Sequence, residues 1–170
     1  VVDYLTLKVS QFFREPCAFE VLQGQVLPRL ASEKEASDDQ VLRVWSAGCA
    51  TGEEVYSLAI TLTEFLSGRD SPLDFIVYGT DIDEKALAMA RAGFFRATNL
   101  GQLPVGVMNR FFPASGNGKD AAYTVSESLR QNTSFLRHNL VAAAAGPLGD
   151  EPLFDVIFCR NVLIYFQRPL

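Results

Sequence analysis

Residues 41–54, VLRVWSAGCATGEE, decide the fold. Val41 to Ala47 is a short β-branched, apolar run, and Gly48 to Gly52 (GCATG) is a turn of small residues. From Glu53 onward Tyr56, Ala59, Ile60, Thr63 and Leu66 fall near one helical face, with Gly68 close behind. The change of pattern across a small-residue turn predicts a strand, a tight turn and a helix over Glu53 to Leu66. Such a turn places backbone N–H groups and the positive end of a helix dipole at the strand's carboxyl edge, where open α/β sheets bind ligands.

The alternation continues outward. Asp74 to Thr80 (DFIVYGT) predicts a second strand, and Glu84 to Ala92 a helix capped by Asp83 and stopped by Gly93. Strand, helix, strand, helix implies an α/β fold with a parallel sheet covered on both faces. Phe94 to Gly118 has no regular pattern, Tyr123 to Arg130 and Thr133 to Arg137 read as strands, and 142–149 (AAAAGPLG) as a low-complexity loop. Phe154 to Cys159 (FDVIFC) reads as a buried strand leading into Arg160 to Phe166. Upstream, Ser10 to Leu30 predicts one helix with Ser10 as N-cap, and Ala31 to Gln40 a solvated connection. Barely one element follows the last strand, so the sheet is expected to lack its C-terminal strands.

The 170 residues, 48% hydrophobic and 21% charged, fit one globular domain. There is no apolar run of ~18 residues and no basic, apolar leader at the N-terminus, which predicts a cytoplasmic protein with no membrane insertion. Cys17, Cys49 and Cys159 form no CxxC pair and His138 is the only histidine, which argues against a disulfide framework and against zinc or any other metal site. The net charge of −5 disfavours nucleic acid as a partner. The composition leaves the oligomeric state open.

The turn AGCATGEE lacks the GxGxxG fingerprint, and Glu53 and Glu54 in the first helical turn would repel a pyrophosphate. A nicotinamide-dependent dehydrogenase is thereby disfavoured. S-adenosylmethionine, with no phosphate and with cationic ammonium and sulfonium groups, suits an acidic helix start. Asp81, just past the second strand, is placed to accept hydrogen bonds from both ribose hydroxyls, and the last strand brings Arg160, Asn161 and Tyr165 to the same edge.

The segments LTLKVSQFFREP, VWSAGCATGEEVYSLAI, YGTDIDEKALAMARAGFF and FDVIFCRNVLIYF resemble, in order and spacing, the CheR family of chemotaxis receptor glutamate methyltransferases. The resemblance implies a Rossmann-like, doubly wound S-adenosylmethionine-dependent methyltransferase fold. It divides the chain into an N-terminal helical segment and linker that complete the active site, 1–40, and a C-terminally incomplete cofactor-binding domain, 41–170. It implies Arg14 and Tyr165 as catalytic residues, Tyr165 beside the transferred methyl group. As cofactor contacts it implies Lys8, Ser10, Arg14, Ala47, Glu53, Asp81, Asn139, Leu140, Arg160 and Asn161. Ser10 keeps the hydroxyl of the family's threonine, whereas Lys8 replaces an asparagine and adds positive charge near a cationic ligand. The implied acceptors are glutamates on the helices of methyl-accepting chemoreceptors, with S-adenosylhomocysteine as by-product. A noncatalytic module sensing S-adenosylmethionine or S-adenosylhomocysteine is the competing reading.

Overall fold

The computed structural model describes residues 10–115, 122–141, 147, 149 and 154–162. Four parallel strands form the central sheet: β1 (Val41–Ala47), β2 (Asp74–Asp81), β6 (Thr133–Arg137) and β7 (Val156–Phe158), in the order β6-β2-β1-β7. Val44 pairs with Val77 on one side of β1 and with Val156 on the other. The chain therefore steps from β1 to β2 in one direction and returns to the opposite side for β7, which makes the carboxyl end of β1 the switch point where such sheets bind ligands.

The predicted strand, turn and helix at 41–66 are present, the helix being α3 (Glu53–Ser67). α4 (Glu84–Ala92) also has its predicted ends, with Asp83 accepting from the Lys85 N–H and Gly93 taking a left-handed cap. Leu42, Val44, Phe75, Val77 and Phe135 are buried on the face that α3 covers. Tyr56 of α3 stacks on Phe135 and donates its hydroxyl to the Ala90 carbonyl of α4 at 2.7 Å, locking the two helices over that face. The alternate residues of the strands line the sheet's second side. Among the described residues, Trp45, Tyr78, His138 and Phe154 form a half-buried aromatic row on the other side, with Ile157 exposed.

The N-terminal segment departs from prediction. No helix begins at Ser10; residues 10–15 run without helix or strand, and α1 starts at Pro16 (Pro16–Val21). Proline disfavours the helical region for the residue before it while fitting the first helical position itself, so the helix starts at Pro16; Glu15 ahead of it is left-handed with φ 56°. The helix then widens over Leu22–Val26, where Leu27 N–H reaches back to the Leu22 carbonyl, and continues as α2 (Leu27–Glu35). Pro28 has no N–H to offer the carbonyl four residues earlier, and the wide turn absorbs that loss. The first half of the polar run expected to be a connection, Ala31 to Glu35, is the last part of α2, because Ala, Glu and Lys are strong helix formers and only Leu27, Leu30 and Ala31 need burial.

Between β2 and β6 lies a second layer: β3 (Phe94–Arg96), α5 (Ala97–Leu100), α6 (Val105–Phe111), β4 (Ala114–Ser115), β5 (Ala122–Thr124) and α7 (Glu127–Arg130). The three short strands form an antiparallel sheet, β3-β5-β4. The expected strand Tyr123 to Arg130 is thus a strand ending at Thr124 and a one-turn helix, with Ser126 at the N-cap position. Phe12 from the N-terminal segment fills the gap between Phe95 and Phe112, with ring centroids at 4.9 and 5.3 Å. No described helix is long and apolar enough to cross a membrane.

Gly79 of β2 marks the tightest approach of helix to sheet: a Cβ there would lie 2.6 Å from Val55 and 2.9 Å from Phe135. Gly79→Ala should lower stability by about 1–3 kcal/mol through overpacking, read as an earlier urea midpoint with unchanged slope.

Candidate functional site

The tips of β1 and β2 are tied by three backbone N–H groups of the turn after β1, and a fourth, that of Asp83, orients the same carboxylate from within its own loop. The Thr80 carbonyl accepts from Gly48 and Cys49 at 2.7 and 2.8 Å, while the Asp81 carboxylate accepts from Ala50 and Asp83, each at 2.9 Å. The two Asp81 bonds fall on different oxygens, so of the roughly four lone-pair positions of a carboxylate about two remain for further donors. A vicinal diol fits that capacity. Ala50 and Gly52 adopt φ 46° and 95°, which folds the turn back so that α3 starts beside the strand tips.

Glu53, the first residue of α3, is only 4% exposed and receives the Thr51 hydroxyl at 2.6 Å. A buried anion in the first turn is favoured by the helix dipole, and it invites a cationic ligand group. Glu54 points elsewhere. It accepts from Ser46 Oγ at 2.7 Å and lies 3.6 Å from Arg160 Nη1. Burial pushes the Glu54 carboxyl above its ordinary range, against the Ser46 bond and the charges of Arg160 and Arg14. The 3.6 Å separation explains why burial wins, since it is beyond hydrogen-bond length.

Arg160 follows β7 and crosses to the N-terminal segment. Its Nη2 donates to the Arg14 carbonyl at 2.7 Å and pairs with Glu15 at 2.9 Å, and the guanidinium packs near the rings of Phe19 and Phe158. Among the described residues Arg160 Nη1 is the buried side-chain nitrogen without a hydrogen-bond partner. Glu15 is held below the usual carboxylate range, first by its hydrogen bond from Arg160. Arg14 therefore sits between Phe13 and Glu15, two non-glycine residues at positive φ (49° and 56°), conformations that cost about 1–3 kcal/mol each and recur at functional sites.

Of the residues expected at the site, Ala47, Glu53 and Asp81 lie at the β1 and β2 tips, Asn139 and Leu140 follow β6, and Arg160 and Asn161 follow β7. All are at the carboxyl ends of neighbouring parallel strands. Asn139 is exposed and accepts from the Val141 N–H, and Asn161 is exposed and takes a left-handed φ of 57°. Ser10 is half-buried and caps no helix. Lys8 and Tyr165 lie outside the described residues. From the sequence Glu54 enters only as part of the acidic helix start, and Ser46 and Ser57 have no role, although Ser57 stands one helical turn after Glu53, the spacing that puts both on one face.

A parallel sheet with acidic residues at the tips of β1 and β2 and a compact glycine turn defines an α/β domain for a nucleoside-containing, positively charged cofactor. The family model described as "CheR methyltransferase, SAM binding domain" matches residues 8–170, and the chain belongs to that family, with S-adenosylmethionine as its cofactor. It is 38% identical over 169 residues to chemotaxis protein methyltransferase 2 of Pseudomonas aeruginosa, covering 99% of this chain and 56% of that protein. Chemotaxis protein methyltransferase 1 of the same organism is 37% identical over 170 residues, 98% of this chain and 58% of that protein. An uncharacterized 104.1 kDa protein of Rhodobacter capsulatus is 36% identical over 165 residues, 96% of this chain but 16% of that protein. The chain thus spans somewhat more than half the length of the two methyltransferases. The residues present fit the cofactor: Asp81 has spare acceptor capacity for ribose hydroxyls, and Glu53 is a buried anion for an ammonium group.

The raised carboxyl of Glu54 has a consequence for stability. A native pKa above the unfolded value means that the folded chain holds this proton more tightly, so the benefit is complete below the ordinary carboxylate range and is lost as pH rises through the native pKa. Glu54→Gln should remove that loss, so that its denaturant midpoint falls less than the parent's between acidic and neutral pH.

Proposed function

We propose that the protein containing this domain transfers the methyl group of S-adenosylmethionine to glutamate side-chain carboxylates of methyl-accepting chemoreceptors, giving methyl esters in chemotactic adaptation in the cytoplasm. The observation that carries the reading is the joining of Glu53 and Asp81, at two adjacent strand tips, to the strained Arg14 turn through α3 and Arg160. The names of the Pseudomonas relatives support the process, and the glutamate acceptor is the one that the family resemblance implies.

The bound cofactor supplies an electrophilic methyl on a positively charged sulfur. Asp81 anchors the ribose, Glu53 meets the ammonium group, and Ala47, Asn139, Leu140, Arg160 and Asn161 enclose the remainder, with Lys8 and Ser10 contributing from the N-terminal side. In this reading residues 1–40 complete the active site of the domain at 41–170. A glutamate with a pKa near ~4.3 is already ionised at neutral pH, so no general base is required and the protein's task is alignment and exclusion of water. Arg14 orients one oxygen of the acceptor carboxylate, because gripping both would stabilise the ground state as well. Tyr165 lines the path of the methyl group.

Two outcomes follow. Asp81→Ala should weaken S-adenosylhomocysteine binding about tenfold or more in a calorimetric titration, since two charge-assisted hydrogen bonds are lost. Arg14→Ala should slow labelled-methyl transfer to receptor by about ten- to a hundredfold, with a smaller loss for Tyr165→Phe. Cofactor binding by the intact protein without any transfer to receptor glutamates would overturn the assignment in favour of a sensing module.

A further inference from the structure

We propose that Ser57 is a positioning residue for Arg14, its hydroxyl fixing the strained Phe13–Glu15 turn against helix α3. The proposal rests on the reading above that Arg14 serves the transfer, and it concerns how Arg14 is held.

Residues 10–15 have no helix or strand of their own, so external contacts must hold the segment. Phe12 is anchored between Phe95 and Phe112, and Phe13 packs on Phe19 at 5.1 Å. These apolar contacts fix the depth of the segment, but rings alone do not fix the rotation of the backbone between them. Polar contacts at its two ends do. At the far end, Arg160 takes the Arg14 carbonyl at 2.7 Å and the Glu15 carboxylate at 2.9 Å. At the near end, the Phe13 N–H donates to Ser57 Oγ at 2.9 Å.

The direction of the second contact is unambiguous. A backbone N–H can only donate, and Ser57 uses its own proton on the Glu53 carbonyl at 2.7 Å, so the chain runs Phe13 N–H to Ser57 O–H to Glu53 C=O. Ser57 is fully buried, which denies water the chance to replace its oxygen. Phe13 and Glu15 hold positive φ angles that persist only where the surroundings over-determine them, and the hydroxyl is one of the polar contacts that do so. Because Ser57 lies one turn beyond Glu53 on the same face of α3, a single helix sets the spacing between the residue proposed for the cofactor's ammonium group and the segment carrying Arg14.

The test uses the intact protein with Ser57→Ala, Arg14→Ala and the double variant. Ser57→Ala should lower kcat/KM for the receptor by about tenfold or more while S-adenosylhomocysteine affinity stays within about twofold. In the Arg14→Ala background the same change should cost less than about twofold, because the hydroxyl acts through a side chain that is gone. Additive losses would overturn the proposal, as would a loss confined to cofactor affinity, which would mean that the hydroxyl acts through Glu53. Amide exchange of the parent protein supplies a readout independent of activity and of how the variants fold: the Phe13 N–H should be protected, and exchange at the rate of a free loop amide would overturn the latch. Absence of cofactor binding or methyl transfer in the parent would instead refute the functional reading, leaving the exchange result to decide the latch.

Discussion

Parallel strands have no hairpin to join their ends, so the loops at their tips hold a fixed relation only if something ties them. Here the tie is the set of three N–H bonds that the turn after β1 gives to the Thr80 carbonyl and the Asp81 carboxylate. Asp81 serves first as a structural acceptor, since the Ala50 N–H belongs to the turn from β1 and the Asp83 N–H leads into α4. A carboxylate already oriented by two backbone donors needs no rearrangement to receive two more, and ordering of that kind reduces the free-energy cost of binding. The start of α3, and with it Glu53, inherits its position from the same turn.

The electrostatic design separates two neighbouring acids that the sequence presents as a pair. Glu53 is buried with a hydroxyl donor, whereas Glu54 turns to Ser46 and Arg160 and is raised by burial. Arg160 links the last strand of the sheet to the N-terminal segment by binding a carbonyl and a carboxylate there. Its positive charge is matched by Glu15 and Glu54, so an arginine can stand near a site for a cationic ligand without setting its full charge against that ligand.

How much of this could be read from residues alone follows from the range of the forces involved. β1, α3, β2, α4 and β6 were legible because small-residue turns, caps and apolar periodicity are local signals, and Asp83 and Gly93 mark the two ends of α4. The start of the N-terminal segment was misread because Phe12 and Phe13 extend the apolar spacing of Phe19 and Leu22, which do lie in helix, while Phe12 packs on Phe95 and Phe112 far along the chain. Pro16 held the correct signal, as a first-turn proline that bars helix from the residue before it. Tyr123 to Arg130 was misread because Ser126 and Glu127, a helix-start pair, were absorbed into a strand pattern. At the site, the strand-tip acids were visible from sequence position, but the partners of Arg160 and Ser57 lie 146 and 44 residues away and no local pattern announces them.

The aromatic row on the sheet's second side gives the molecule a gauge of its own ligand edge. Trp45 is the sole tryptophan, two residues before Ala47, and its indole N–H is bonded to the Thr80 hydroxyl at 3.0 Å, next to Asp81. Tryptophan emission from this chain, excited beyond the absorption band of tyrosine, therefore originates in one reporter seated on the two strands whose tips form the ligand edge, so disturbances there can be followed optically without attaching a dye.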